Sequence, residues 1–302
     1  MHVAVTGASG LIGSWLVPHL TTGGHTVTRL VRREPRADDE VQWDAEAGRL
    51  DPAALEGTDA VIHLAGEPIG EHRWTPQHKE RVRDSRVVST RALAAALAGL
   101  DNGPHTLVCA SGIHYYGEGG DAALDEATGP GSGFLSSVVQ DWEAAADPAR
   151  AAGVRVVHLR TGIVQDSTGG ALKRMLPLFK LGLGGRLGSG RQWWSWISRH
   201  DVLGLYHHAL TTESLHGPVN ATAPNPVTNA EYTRVLGQVL DRPTLLPVPK
   251  LGPKLLLGPE MAEELLFTSA KVHPTVAEKS GYAFRHAELE PALRELLARP
   301  EH

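Results

Sequence analysis

Short apolar runs alternate with segments of helical spacing along the first half of the chain. The runs predict six β-strands, at residues 3–5, 26–31, 41–43, 60–65, 106–110 and 154–159, because buried parallel strands are short stretches of continuous apolar residues. Between the runs, the spacing predicts helices over residues 11–22, 76–97 and 134–150. This alternation is typical of an α/β fold with a doubly wound parallel sheet.

Three glycines separate the first predicted strand from the first predicted helix. They recur at three-residue spacing, as Gly7, Gly10 and Gly13. In a Rossmann dinucleotide site the first permits a tight turn, the second lets a pyrophosphate approach the backbone, and the third lets the helix pack on the strand. The alternative is an ordinary glycine turn, but the position between strand and helix favours dinucleotide binding. The expected cofactor contacts here are Gly7, Ser9, Gly10, Leu11, Ile12 and Gly13.

Two arginines, Arg32 and Arg33, directly follow the second predicted strand. A site that prefers NAD usually has an acidic residue near this point to bond the ribose 2′-hydroxyl, whereas an arginine accommodates the 2′-phosphate of NADP. We therefore expect NADP(H) as the cofactor, with Arg32 at its phosphate. The alternative is a solvated pair of charges after a strand.

The fourth predicted strand ends in residues that leave room for a ligand. Ligands of open α/β sheets bind outside the carboxyl ends of the strands, so we expect Leu64, Ala65 and Gly66 to pass close to the cofactor. The alternative is that these residues are only strand and turn. We interpret His63, in the same strand, as a packed or hydrogen-bonded histidine and not as a catalyst.

Polar side chains that can transfer protons cluster after the fifth predicted strand. The candidate catalytic residues are Ser111, His114, Tyr115 and Tyr116. They reach the same sheet edge as the glycine turn, where an imidazole or a phenol can exchange a proton with a substrate. If the segment stays extended, His114 and Tyr116 share a face and can assist each other. Each residue also has a purely structural interpretation, as a turn residue, a loop histidine or a pocket wall.

Beyond Thr161 the pattern changes to glycine-punctuated helical segments and an aromatic run at residues 193–196. We interpret this part as a lid or pocket wall over the substrate, with a hydrophobic satellite core as the alternative. Amphipathic helices are predicted over residues 228–240 and 289–297. The expected organisation is a Rossmann domain over residues 1–163 and a smaller C-terminal substrate-side lobe, residues 164–302, interleaved with it.

Composition excludes several other classes of function. The 302 residues carry a net charge of −5, so we expect no nucleic-acid partner. The 16 histidines are scattered and the one cysteine, Cys109, has no partner, so we expect neither a metal site nor a disulfide. No apolar run approaches the roughly 18 residues that span a membrane, and no signal segment opens the chain. We expect a cytoplasmic protein that binds a small molecule and no membrane; its oligomeric state stays open.

Several motifs follow one another along nearly the whole chain. They are TGASGLIG at residues 6–13, HLAGE at 63–67, RWT at 73–75, SRVVST at 85–90, YYG at 115–117, LRTGIV at 159–164, SWIS..D at 195–201, VNATAP at 219–224 and GPE at 258–260. With these motifs the chain resembles the extended short-chain dehydrogenase/reductase superfamily. It is most similar to the atypical branch of NAD(P)-dependent epimerase-like proteins with a C-terminal domain of unassigned function.

The resemblance implies cofactor binding, but it breaks at the usual chemistry. The superfamily uses Ser or Thr with Tyr-x-x-x-Lys, in which the lysine lowers the pKa of the tyrosine. In this chain the corresponding helix offers Leu135 and Val139, or Phe134 and Val138 in a shifted register. The branch as a whole is similar in lacking the pair.

Two functions follow from this combination. One is an NADP-dependent oxidoreductase or epimerase that acts on a hydroxyl-bearing small molecule such as a nucleotide sugar. In that case His114, Tyr115 or Tyr116 replaces the missing acid, since a tyrosine near its ordinary pKa of about 10 is a poor base unless a charge assists it. The alternative is an NADP(H)-binding sensor or scaffold protein without turnover.

Overall fold

The computed structural model describes residues 1–298, and seven parallel strands within them form one central sheet. In sheet order these are β11 (Gly217–Ala221), β7 (Arg155–Thr161), β5 (Thr106–Gly112), β4 (Ala60–His63), β1 (His2–Thr6), β2 (Thr26–Val31) and β3 (Glu40–Gln42). The chain runs outwards from β1 to β3, then returns to β4 and continues on the other side. The doubly wound α/β fold is confirmed, and its switch point lies between β1 and β4.

Alternate residues of the strands enter hydrophobic cores on opposite faces of the sheet. Val3 and Val5 of β1 lie in one core, whereas Ala4 lies in the other, as the two-residue period of a strand requires. The first core is covered by α1 (Gly13–Thr22) and α6 (Arg199–Thr211). The second is covered by α2 (Pro76–Ala98) and α4 (Asp147–Ala151). Both faces are therefore buried, which accounts for the apolar strand sequences.

A third core lies in the C-terminal part of the chain. It is built on α5 (Gly170–Lys180), α7 (Asn229–Leu240) and α11 (Leu289–Ala298). Trp194 and Trp196 are buried within it, and Trp196 Nε1 donates a hydrogen bond to the Asn225 carbonyl at 3.0 Å. The aromatic run therefore contributes mainly to a satellite core, which was the alternative interpretation. It does not form a lid.

Short elements join the third core to the sheet domain. Six two- or three-residue strands pair with one another: β6 (Ala123–Leu124) with β13 (Lys271–Val272), β8 (Ile163–Gln165) with β10 (Trp196–Ser198), and β9 (Trp193–Trp194) with β12 (Val227–Thr228). The remaining α-helices are α3 (Phe134–Ala144), α8 (Leu251–Leu257), α9 (Pro259–Ala262) and α10 (Thr275–Lys279). Short 3₁₀-helices span Pro52–Leu55 and Ile113–Tyr116, and a π-helix spans Glu263–Phe267. None of the helices in residues 1–298 is long and apolar enough to cross a membrane.

The largest departure from the predicted elements is the seventh strand. The sequence indicated a sheet completed by the sixth strand, but β11 pairs with β7 from Gly217 to Ala221. Its sequence, GPVNA, contains Gly, Pro and a buried Asn220, so it lacks the apolar run of a central strand. Proline is tolerated because β11 is an edge strand. The predicted helix over residues 134–150 is also two helices, α3 and α4.

A buried carboxylate, Asp201, ties the C-terminal segment to the sheet domain. It lies in the first turn of α6, where its backbone N–H is capped by Ser198 Oγ at 3.0 Å. Its carboxylate accepts the backbone N–H groups of Arg285 at 2.8 Å and His286 at 3.0 Å. The SWIS..D motif is thus explained by packing, as a helix cap that also fixes a distant loop.

Candidate functional site

Two of the three glycines in the turn after β1 are required by the fold itself. Gly7 has φ +65°, and a Cβ there would lie 2.7 Å from the Leu64 carbonyl carbon. A Cβ on Gly13 would lie 2.2 Å from the Gly7 carbonyl oxygen. Gly7 therefore allows the turn to pass against the end of β4, and Gly13 allows α1 to start against the turn.

Gly10 differs from the other two glycines because the protein leaves space beside it. It is exposed, and within 4 Å a Cβ would meet only the Gly7 carbonyl oxygen, at 3.2 Å. The fold therefore gives little reason for a glycine here. A ligand that approaches the backbone closely at the start of α1 supplies that reason, and this is where a pyrophosphate binds in a Rossmann site.

The turn after β4 is held beside the glycine turn by Thr6. The Thr6 Oγ1 accepts hydrogen bonds from the backbone N–H groups of Leu64 at 3.1 Å and Ala65 at 3.2 Å. It also contacts His63 Nδ1 at 2.7 Å. The structure thus places Leu64, Ala65 and Gly66 at the switch point of the sheet, next to the glycine turn.

His63 is a buried link between this turn and α2. Thr6 Oγ1 already accepts two N–H groups, so its hydrogen goes to His63 Nδ1 and the imidazole proton lies on Nε2. That nitrogen is 3.2 Å from Ser89 Oγ. Burial, with the nearby Arg86 cation, lowers the pKa of His63 to about 4. The residue is a packed, hydrogen-bonded histidine that stays neutral near pH 7.

The two arginines after β2 have different environments. Arg33 donates two hydrogen bonds to Glu40, at 2.6 and 2.7 Å. Arg32 is exposed, and its nearest carboxylate, on Glu46, is 3.6 Å away. Arg32 lines a pocket of about 450 Å³ at the carboxyl ends of β2 and β3, together with Gln42, Trp43, Asp44, Ala45, Glu46 and Arg49. Of the pair, Arg32 is thus the more available to a ligand, because its ion pair with Glu46 is long and exposed.

The segment after β5 is helical and not extended. A 3₁₀-helix covers Ile113–Tyr116, so the shared face considered for His114 and Tyr116 does not form. With three residues per turn, residues three apart lie on the same side. Ile113 and Tyr116 point into the protein, and both are buried. His114 and Tyr115 are only partly buried.

Tyr116 and Ser111 belong to a buried polar network. Tyr116 Oη donates to Asn220 Oδ1 at 2.8 Å and accepts from Arg160 Nη1 at 3.1 Å. Arg160 also donates two 2.8 Å hydrogen bonds to Glu143, whose Oε1 accepts from Ser111 Oγ at 2.6 Å. The network joins β5, α3, β7 and β11 behind the site, where it can hold their carboxyl ends in a fixed arrangement.

The ion pair between Arg160 and Glu143 determines the protonation states within this network. Burial disfavours the Glu143 carboxylate, but the hydrogen bonds from Arg160 outweigh it, and the pKa of Glu143 is lowered. The pKa of Tyr116 is raised to about 12, because burial outweighs the opposing effect of Arg160. Tyr116 is therefore a protonated donor near pH 7 and a poor base.

Arg86 of α2 lies close enough to His114 for its charge to act on the imidazole. Burial, followed by the charge of Arg86, lowers the pKa of His114 to about 4. The imidazole is therefore neutral near pH 7, because the ring is desolvated beside a cation. Arg86 is 8% exposed, and its guanidinium lies 3.1 Å from where a Gly66 Cβ would be. Gly66 thus leaves the room that this buried cation occupies.

The guanidinium of Arg86 has unused hydrogen-bonding capacity. Its Nη1 donates to the carbonyls of Glu67 at 3.0 Å and Val82 at 2.9 Å. Among residues 1–298, no acceptor pairs with its Nε or Nη2. Burial lowers its pKa to about 10, so it keeps its charge at neutral pH. A desolvated cation at the ligand edge can stabilise a negative oxygen more strongly than one in water.

Comparison with known proteins agrees with this geometry. Residues 3–221 match the NAD dependent epimerase/dehydratase family, and residues 248–296 match a domain of unknown function, DUF1731. An epimerase family protein of Mycobacterium tuberculosis is 45% identical over 298 residues, covering 99% of this chain and 98% of its own. The chain belongs to the NAD dependent epimerase/dehydratase family.

Two solved structures of similar proteins extend this family assignment. The human epimerase family protein SDR39U1, solved with NADPH, has a TM-score of 0.90 and 35% identity, over 99% of this chain and 100% of that one. A nucleoside-diphosphate sugar epimerase from Corynebacterium glutamicum has a TM-score of 0.80 and 36% identity, over 98% of this chain and 58% of that one. The predicted epimerase-like family and its C-terminal domain are confirmed.

In this family fold, α3 brings aliphatic side chains to the ligand edge. Leu135 and Val139 are buried, and Val139 Cγ2 lies 3.9 Å from where a Gly112 Cβ would be. Val139 therefore packs towards the end of β5. The polar groups there come from other elements, Arg86 of α2 and His114 of the 3₁₀-helix.

Sequence reasoning overlooked four polar residues of this region. They are Arg86, Glu143, Arg160 and Asn220. Three of them lie in motifs already quoted, SRVVST, LRTGIV and VNATAP. A charged or amide residue inside an otherwise apolar strand or helix motif was the available signal, because such a side chain is buried only when it is paired or functional. The structure describes no cluster of side chains in residues 1–298 that could hold a metal ion.

Proposed function

We propose that the chain is an NADP(H)-dependent oxidoreductase or epimerase that acts on a hydroxyl-bearing small molecule, with nucleotide sugars as the first substrate class to test. The observation that carries the proposal is Gly10, an exposed glycine at a strand-to-helix turn where only one protein atom, the Gly7 carbonyl oxygen at 3.2 Å, lies within 4 Å of the position of a Cβ. The human relative solved with NADPH and the Corynebacterium nucleoside-diphosphate sugar epimerase support the cofactor and the substrate class.

The residues proposed to hold the cofactor come from three turns at the switch point. Backbone N–H groups of residues 9–13 face the pyrophosphate, and Leu64, Ala65 and Gly66 border the dinucleotide. Arg32 accommodates the 2′-phosphate, because Arg33 is already paired with Glu40. When bound, NADP(H) supplies hydride transfer.

For proton handling we propose that Arg86 and His114 contact the substrate oxygen. Arg86 stabilises negative charge on that oxygen, and the neutral imidazole of His114 donates or accepts a hydrogen bond. The phenol of Tyr115 is the remaining candidate acid: its ring lies 3.4 Å from the Arg160 guanidinium carbon. Tyr116 and Ser111 are assigned positioning roles, because both are hydrogen-bonded inside the buried network.

The alternative is an NADP(H)-binding sensor or scaffold without turnover. It is favoured by the aliphatic Leu135 and Val139 on α3, where the family resemblance places a tyrosine and a lysine. Both functions need the cofactor, so they differ only in whether the protein catalyses a reaction.

Calorimetric titration with NADPH and NADH tests the binding half of the proposal. Arg32→Ala is expected to weaken NADPH binding by roughly ten- to a hundredfold and to leave NADH binding unchanged, since a charged hydrogen bond contributes about 1.5–3 kcal/mol. Arg33→Ala is the matched control and should leave the NADPH preference intact. Equal wild-type affinities for the two cofactors would contradict the assignment.

Turnover is tested by incubating the NADPH-loaded protein with a panel of nucleotide sugars. Cofactor absorbance reports net oxidation or reduction, and chromatography of the sugars reports epimerisation that returns the cofactor unchanged. Arg86→Lys and His114→Ala should each lower kcat by roughly a hundredfold with little change in NADPH affinity. Tight NADPH binding with no product from any sugar or carbonyl compound would favour the sensor.

A further inference from the structure

Exposed leucines are concentrated in one part of the molecule. Eight of the ten large hydrophobic side chains that are exposed within residues 1–298 fall in residues 173–191 and 242–257. They are Leu178, Leu181, Leu183, Leu245, Leu246, Leu251, Leu255 and Leu256, with 54–88% of each residue's surface accessible. Such a concentration is unusual for a surface that faces only water.

The two stretches form one continuous surface. Arg242 Nε donates to the Lys180 carbonyl at 2.8 Å. Residues 186–188 and Val248 exchange backbone hydrogen bonds, with Val248 N donating to the Arg186 carbonyl at 2.8 Å and Gly188 N donating to the Val248 carbonyl at 2.9 Å. The exposed leucines of α5 and its following loop therefore adjoin the segment that carries Leu245 and Leu246 and leads into α8. We call residues 173–191 and 242–257 the leucine–lysine surface.

The two stretches that form this surface carry charges of one sign, although Lys250 and Lys254 pair with Glu263 of the neighbouring π-helix at 3.6 and 2.8 Å. Residues 173–191 contain five Lys or Arg and residues 242–257 contain three, and neither stretch contains Asp or Glu. The whole chain, in contrast, has a net charge of −5. Positive charge is therefore segregated onto the same surface as the exposed leucines.

The folded chain gives these leucines little to pack against. None of the residues of α8 is buried. In α5, Leu172, Leu176 and Phe179 occupy the third core, whereas Leu178 lies outside it. The exposed leucines thus add little to the stability of the isolated chain, and their burial requires an external partner.

We propose that the leucine–lysine surface binds the surface of an anionic lipid bilayer. Leucines inserted at the level of the headgroups lose contact with water, while the surrounding Lys and Arg side chains meet lipid phosphates. A second copy of the chain would oppose two positive surfaces, which repel each other. A nucleic acid would satisfy the charges and leave the leucines exposed. The expectation from the sequence that no membrane is bound rested on the lack of a membrane-spanning segment. A contact with the bilayer surface does not need such a segment.

Sedimentation of the full-length protein with lipid vesicles tests the proposal. The protein should sediment with vesicles of phosphatidylcholine mixed with phosphatidylglycerol, and should remain in the supernatant with phosphatidylcholine alone. The affinity should fall as salt is added, because the charges lie at the water interface. No sedimentation with anionic vesicles at low salt, or equal sedimentation with both kinds, would overturn the proposal.

Paired variants separate the apolar and charged contributions. Leu255→Ser with Leu256→Ser, and separately Lys173→Glu with Lys180→Glu, should each raise the vesicle Kd by roughly tenfold or more. Arg91→Glu, an exposed charge on α2, is the matched control and should leave the Kd unchanged. Wild-type Tm and NADPH affinity in all variants confirm that the fold is intact. If the leucine pair instead abolishes a dimer seen by analytical ultracentrifugation, the surface is a contact between copies and the proposal is wrong.

Discussion

The turn after β1 offers a comparison of two glycines that separates ligand binding from folding. Gly10→Val adds a side chain where the protein has only one atom within 4 Å of the new Cβ, the Gly7 carbonyl oxygen at 3.2 Å. That oxygen must yield by a few tenths of an ångström, so the free energy of unfolding should fall by about 1 kcal/mol. The added methyl groups occupy the space proposed for the pyrophosphate. We expect the Kd for NADPH to rise by at least roughly a hundredfold, which corresponds to about 2.7 kcal/mol.

Gly13→Ala is the opposite case within the same turn. The new Cβ would lie 2.2 Å from the Gly7 carbonyl oxygen, far inside the ordinary contact distance of about 3.5 Å. Backbone must move to relieve this overlap, at a cost of about 3 kcal/mol or more in the free energy of unfolding, and a lower Tm by roughly 5–10 °C. Calorimetry with NADPH and thermal denaturation measure both effects. Normal NADPH binding by Gly10→Val, or a Tm loss equal to that of Gly13→Ala, would refute the reasoning.

Three further predictions concern buried polar groups. Tyr116→Phe removes the donor to Asn220 and the acceptor for Arg160, so it should destabilise the fold by about 1–3 kcal/mol in urea unfolding, with NADPH affinity unchanged; an unaltered unfolding midpoint would contradict the network. Glu143→Gln leaves the Arg160 charge buried without its partner and should cost about 3–5 kcal/mol by the same measurement, whereas a change near zero would show that the pair is exposed to water. Acid should also destabilise the protein. His63, His114 and His158 have pKa values lowered to about 4, from 6.5, chiefly by burial. A folded-state pKa below the unfolded value means that the unfolded chain takes up these protons first, so stability is full above about pH 6.5 and is lost as the pH falls towards 4, by up to about 1.4 kcal/mol per pH unit for each histidine. His63→Gln should reduce that slope, and a flat profile would indicate that the imidazoles are hydrated.

Local patterns were sufficient to predict six of the seven strands of the central sheet. The strand at residues 26–31 and the start of α2 at Pro76 agree with the structure to the residue, because apolar runs and a proline after the Thr75 cap are signals contained within a few positions. The glycine turn was recognisable for the same reason. Its three glycines, like the strand and helix around them, lie within a few positions of one another in the sequence.

The polar network could not be predicted in this way. Tyr116 and Asn220 are separated by 104 positions, and only the pairing of β11 with β7 brings them together. β11 itself carries Gly and Pro, so neither the strand nor the contact that it provides was visible as a local pattern. The lowered pKa of His114 likewise depends on the tertiary fold, because burial of the ring and then the charge of Arg86 on α2 lower it.

The late position of β11 in the chain has a consequence for biosynthesis. Until residues 217–221 have left the ribosome, β7 is the edge of the sheet, with unpaired backbone N–H and C=O groups along residues 157–161. A nascent chain that ends before residue 217 lacks Asn220, the acceptor for Tyr116. It also presents an apolar strand edge that can pair with other chains. The central sheet therefore completes its fold only after residues 164–221 of the C-terminal part have been synthesised. Translation pauses before residue 217 should increase aggregation, and chaperones that cover strand edges should act on this intermediate.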